Sequence, residues 1–92
     1  MNKRTISSYE IKPISGKQVI EFPKGSEILY VKPRNNALCI YANTNVKEKK
    51  IDRYYFECFE KDDLEIPDDS YSLLGTVELF DNLTINVFYK KM

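Results

Sequence analysis

The sequence predicts an all-β chain of about seven short antiparallel strands, packed as one small sandwich or barrel. Turn chemistry recurs along it, at Pro23-Lys24-Gly25, Pro33-Arg34-Asn35-Asn36 and Asp81-Asn82. Between the turns lie short runs rich in Ile, Val, Tyr and Phe, residues that fit a pleated surface. No stretch has the apolar spacing of a convincing amphipathic helix.

The elements follow in order. Residues 1–6 read as a loose basic start. Ser8–Lys12 alternates as a strand, which Pro13 ends. The next four residues turn around Gly16. Lys17–Phe22 is a short strand, with Gln18, Ile20 and Phe22 on one face and Lys17, Val19 and Glu21 on the other. A hairpin between these two strands is the simplest pairing. The most legible stretch is Glu21–Ala42. Pro23 and Gly25 supply a turn, Gly25 by accepting a positive φ. Ile28–Val31 is a strand, Asn35 and Asn36 tolerate the left-handed geometry of a tight hairpin, and Leu38–Ala42 returns antiparallel. Thr44–Lys50 reads as a solvated loop.

Ile51–Lys61 is a strand with Arg53, Tyr55 and Glu57 on one face and Tyr54, Phe56 and Cys58 on the other. As a helix its aromatics would scatter. Asp62–Ser70 is an acidic loop, with room for one helical turn near Asp62–Leu64. Tyr71–Phe80 is a strand whose Gly75 marks a bulge or a close backbone approach. Asp81-Asn82 is a two-residue hairpin turn. Leu83–Tyr89 closes the fold with Leu83, Ile85, Val87 and Tyr89 on one face, and Lys90-Lys91-Met92 ends in solvent.

With 92 residues, the chain is a single domain, 1–92. At this length it buries only roughly 60–65% of the surface its unfolded form exposes, so self-association is a natural supplement to its core. Lys plus Arg and Asp plus Glu are each 14, and zero net charge argues against a long nucleic acid as partner. A small anion needs only a few local cations. Cys39 and Cys58 lie among apolar neighbours and read as buried free thiols, with a disulfide or metal pair as the alternative. Zinc lacks its ligands, since there is no His and no further thiol. The N-terminus has no apolar signal-peptide region and no run is long enough to cross a membrane, so a soluble intracellular protein is expected.

An enzyme is not expected either. No His can serve as a base near neutral pH, and no nucleophile elbow or Gly-rich phosphate loop is present. Asp62/Asp63 and Asp68/Asp69 read as surface carboxylates, so no catalytic residue, metal ligand or cofactor is assigned. The unusual feature is tyrosine, seven in all, several of them beside cations: Tyr30 with Lys32 and Arg34, Tyr54 and Tyr55 with Arg53, Tyr89 with Lys90 and Lys91. Tyrosine offers a flat face to a nucleobase and arginine a fork to a phosphate. The same residue types build protein interfaces, and tyrosine is at home half-buried in any sheet.

Tyr9–Ile11, Ile20–Val31, Leu38–Ala42 and Arg53–Phe56, with a C-terminal LLGTVELFDNLTINVFY, resemble a family of small bacteriophage β-rich proteins. Its pattern is close to YEL…IELPKGAEILSVQ…NG…CLWA…RRFRIYGTG. The family's Gly-rich stretch after the RFRIY-like strand is here CFEKDDLEIPDD, so no contact made by that loop carries over. Some proteins of this kind are anti-CBASS sponges, which sequester a cyclic oligonucleotide defence signal without altering it. The resemblance therefore implies a non-enzymatic immune-evasion protein of the host cytoplasm. Its ligand would be a small anionic nucleotide such as cyclic GMP–AMP. A homo-oligomer, dimer or tetramer, could share a pocket across a two-fold axis. On that reading Arg53 and Arg34 meet phosphates, Tyr41 and Tyr55 stack on bases, and Asn35 or Asn36 reads a base edge. The alternative is a module that binds and blocks a host protein or joins phage assembly.

Overall fold

In a computed structural model, which describes residues 4–14, 16–62, 67–79 and 82–92, the chain forms seven antiparallel strands in two sheets. They are β1 (Arg4–Ile11), β2 (Lys17–Pro23), β3 (Glu27–Arg34), β4 (Ala37–Asn45), β5 (Ile51–Glu60), β6 (Ser72–Glu78) and β7 (Thr84–Lys91). One sheet has the order β1-β4-β3 and the other β2-β5-β7-β6. This is a small sandwich, as the alternation of the strands predicts.

The core lies between the sheets. Leu38, Ile40 and Ala42 of β4 face Phe22 of β2, Tyr54, Phe56 and Cys58 of β5, and Ile85 and Val87 of β7. The inward faces of β2, β5 and β7 are the ones their period-two patterns mark. Phe22 is fully buried and holds the layers together: Tyr9 of β1 packs edge-on to it at 4.5 Å, and Tyr54 of β5 at 5.4 Å.

The expected hairpin between the first two strands does not form. β1 pairs with β4 and β2 with β5, in separate sheets. The reason is burial: Tyr9 and Ile11 cover their apolar sides by facing Phe22 across the interlayer rather than lying beside it. The Gln18 side chain accepts from the Lys12 amide at 3.0 Å and donates to the Lys12 carbonyl at 2.8 Å, occupying the backbone between the two strands. The start of the chain also differs. Arg4–Ile6 is strand, in register with Asn43–Asn45, where a loose end was expected. Ser7 and Thr44 hydroxyls, 2.9 Å apart, tie this polar end down, and β4 accordingly runs through Thr44 to Asn45. Lys90 and Lys91 likewise belong to β7, and the Met92 amide donates to the Arg53 carbonyl at 2.8 Å.

The turns follow local chemistry. Gly25 has φ +83 and the Ser26 amide reaches the Pro23 carbonyl at 3.1 Å, a turn that carries the chain from one sheet to the other. Lys24 donates to the Lys50 carbonyl at 2.8 Å and Gly25 to the Asp52 carboxylate at 3.0 Å, pinning two sheet-to-sheet crossings together. That bond first, and then Lys91 at 3.4 Å, lowers the Asp52 pKa. Asn35 has φ 54 in the tight β3–β4 hairpin. Asn82 has φ 60, and Leu79 and Leu83 close the last hairpin at 2.7 Å. Asp81, Ser15, and Asp63 and Leu64 of the suggested helical turn lie outside the described residues.

Both readings of Gly75 hold. The β6–β7 register shifts between Leu73 and Gly75, and a Cβ on Gly75 would meet Cγ1 of Val31 at 3.2 Å. β6 therefore lies close against β3, which carries its own bulge between Ile28 and Tyr30. Val31 is stiff at χ1 and cannot swing away freely. Gly75→Ala is expected to destabilise by roughly 1 kcal/mol, read from urea denaturation midpoints. Paired with Val31→Ala it should cost less than the two single changes added together; strict additivity would mean that the two residues do not limit one another.

Candidate functional site

The outer face of the three-stranded sheet carries an open depression of about 670 Å³, lined by Ser8, Glu10, Arg34, Asn35, Asn36, Ala37 and Cys39. That is the size range of small-molecule sites. Its construction follows from register. Glu10 of β1, Cys39 of β4 and Lys32 of β3 sit side by side, and one step along come Ser8, Tyr41 and Tyr30. The β3 bulge makes this row. It turns both Ile28 and Val31 toward the core while bringing Tyr30 opposite Tyr41 on the outside. The two rings stack at 5.0 Å and 28°, and the Lys32 ammonium lies 5.0 Å from the Tyr30 centroid.

The electrostatics of this face are mixed. Among the described residues neither Arg34 nor Glu10 has an ion-pair partner. The Arg34 fork and the Asn35 and Asn36 amides gather at the hairpin end, with Glu10 across the depression on β1. Cys39 forms the floor, only 4% exposed, on the outer side of the sheet rather than in the core.

Four of the six ligand residues expected from the sequence, Arg34, Asn35, Asn36 and Tyr41, thus share this face. The other two do not. Arg53 and Tyr55 lie on the outer face of the four-stranded sheet, in register with Glu21 and Val19 of β2. Arg53 is already engaged, its Nε donating to Glu21 at 2.9 Å. Tyr55 is flanked by Lys17 at 4.5 Å and Lys90 at 5.8 Å from its centroid. Lys90 also covers Tyr71 at 4.8 Å and donates to Ser70 at 3.1 Å, so this second cluster is built from ammonium groups and tyrosines. Burial, and then the neighbouring Glu57 carboxylate, raise the pKa of Tyr71, whose buried hydroxyl has no hydrogen-bond partner among the described residues. Tyr54 and Tyr89 are packing residues beside Phe56, not ligand faces.

Ser8, Glu10 and Cys39 were not in the sequence-derived set. The signal was available once β1 is known to flank β4, because alternation then puts all three on one face. Among the described residues no three His, Cys, Asp or Glu side chains are placed to hold a metal. No helix among them is long and apolar enough to cross a membrane.

A two-sheet, all-β domain with a polar, tyrosine-flanked depression on one outer face is the class this geometry defines. The chain belongs to the family described as "Domain of unknown function (DUF7352)", which matches residues 2–92. No curated protein and no solved structure matches it.

Cys39 and Cys58 are both free and buried. Burial raises the Cys58 pKa to about 11, and its Sγ lies 3.8 Å from the Lys12 carbonyl. The reactive thiolate is therefore scarce at Cys58 at pH 8. Iodoacetamide at that pH should leave Cys58 unmodified in the folded protein and label it on denaturation, read by peptide mass. Rapid native labelling would show that β5 opens there.

Proposed function

We propose that this chain is a non-catalytic binding protein that captures a small phosphate-bearing nucleotide on the outer face of its three-stranded sheet. The observation that carries this is the convergence of Arg34, Asn35 and Asn36 on one open depression, with the stacked Tyr30–Tyr41 pair on the same sheet face beside Ser8 of its lining. Each group has a role in recognition. Arg34, free of any ion pair among the described residues, offers a bidentate fork to a phosphate. The asparagine amides can both donate to and accept from a base edge. The tyrosine pair extends a flat surface on which a base can stack. Glu10 repels phosphate, which sets the orientation: phosphate toward Arg34, an amino-bearing base edge toward β1. Capture needs no catalytic base, in keeping with a chain that has no His.

The ligand class we favour is a cyclic oligonucleotide such as cyclic GMP–AMP, because the sequence resembles a family of small phage β-rich proteins, some of which are like cyclic-nucleotide sponges. Sequestration would then be the biological act, and bound ligand should be recovered chemically intact after denaturation.

The test is thermal melting with a panel of cyclic di- and trinucleotides. A ligand at a hundredfold excess over its Kd stabilises the native state by about 2.7 kcal/mol. For a domain of this size that raises Tm by roughly 10–20 °C. Arg34→Ala should remove the shift. Arg53→Ala should keep it, because Arg53 serves Glu21 on the opposite face. No shift with any member of the panel, together with one stoichiometric host protein in pull-downs, would replace this reading with a protein-binding one.

A further inference from the structure

Among the described residues the edge strand β1 is left open, and the geometry points to a second copy of β1 as its occupant. The other three edges are blunted. β3 carries a bulge and Pro33 and lies against β6. β6 carries the bulge at Gly75. β2 ends in Pro23, and its Gln18 side chain is bonded to the backbone of Lys12. β1 has none of these devices. It runs for 8 residues in unbroken register with β4, without Pro, Gly, Lys or a bulge, and Ile6 on it is 59% exposed. A long, regular, uncovered edge is a template for another strand.

Which strand fits is decided by charge. Antiparallel β1–β1 pairing that keeps both outer faces on the same side must match even-numbered residues with even-numbered ones. Centred on Ser7, it sets Arg4 opposite Glu10 of the partner subunit, and Glu10 opposite Arg4 of the partner subunit. Registers shifted by one step along the same face lose both pairs. The Ser7 register also makes the two Ile6 side chains diagonal neighbours, within reach across the seam. Glu10 has no ion-pair partner among the described residues. Arg4 rests on the Gly25 and Asn43 carbonyls at 3.2 and 3.4 Å, exposed contacts that a carboxylate can outcompete.

Pairing gives a continuous six-stranded sheet, β3-β4-β1 followed by the partner's β1-β4-β3. Arg4 of the partner subunit then stands beside Ser8 and Glu10 on the rim of the depression. It neutralises Glu10 and adds a second guanidinium across from Arg34. The interface itself does not rest on the proposed ligand; what it adds to that reading is a site completed in trans.

Sedimentation equilibrium without nucleotide tests it. The protein should have at least twice the 10.8 kDa mass of one chain. Arg4→Glu and Glu10→Arg should each weaken self-association by roughly tenfold, since each change places like charges at two symmetric positions. The double reversal, which restores both pairs with inverted sign, should recover wild-type affinity. Among the described residues the Glu10 side chain makes no hydrogen bond or ion pair within the subunit, so Glu10→Arg remains decisive if Arg4→Glu loosens the fold, as circular dichroism will show. A monomer at every concentration, an assembly indifferent to Glu10→Arg, or a double variant no better than either single one would overturn the proposal. Because no nucleotide is present, these results stand apart from the outcome of the melting experiment.

Discussion

Phe22 is the point on which the two layers close. It leaves β2 toward the other sheet and meets Tyr9 edge-on at 4.5 Å, with Tyr54 at 5.4 Å and Phe56 at 6.1 Å on its own side. No other aromatic pair among those described joins one sheet to the other. A small domain buries too little surface to tolerate a gap at such a place, and deleting a buried phenyl ring costs about 3–5 kcal/mol. The ring also fixes which way β1 and β2 face. Once Tyr9 is committed to Phe22, the even-numbered residues of β1 are outside, and Ser8 and Glu10 become part of the outer depression.

The inner faces thus select the outer ones. On the three-stranded sheet, a bulge that satisfies the core with Ile28 and Val31 also places Tyr30 against Tyr41. On the four-stranded sheet, burial of Tyr54, Phe56 and Cys58 leaves Arg53 and Tyr55 outside, each taken up by neighbours of opposite charge or by ammonium groups. The two outer faces therefore hold similar residue types in different states. One keeps an arginine that has no ionic partner among the described residues beside an open depression; the other has its arginine in a salt bridge.

Much of this was legible in the sequence, because a strand's side chains alternate and turns demand particular residues. The faces of β2 and β5, the turns at Gly25 and Asn35, and the double role of Gly75 all follow from local rules. Strand partnership was not legible in the same way. Neighbouring strands in the chain are the simplest partners, yet β1 and β2 pair elsewhere because their apolar sides are better buried facing each other. The site divides for the same reason. Composition places Arg34 and Arg53 in one inventory, and only the assignment of strands to sheets separates them. Glu21, on the outward face of β2, was the local hint that Arg53 had a partner of its own.

The pin between the two crossings, where Lys24 meets Lys50 and Gly25 meets Asp52, has a kinetic consequence. β1 with β4 and β2 with β5 are pairings between distant parts of the chain. Long loops must close before either ladder offsets their lost entropy. Among the described strands only the two hairpins, β3–β4 and β6–β7, can zip locally; the others wait for a knot of turn backbone to hold remote segments in place. The chain belongs among the slow folders whose nascent strands stay unprotected longest.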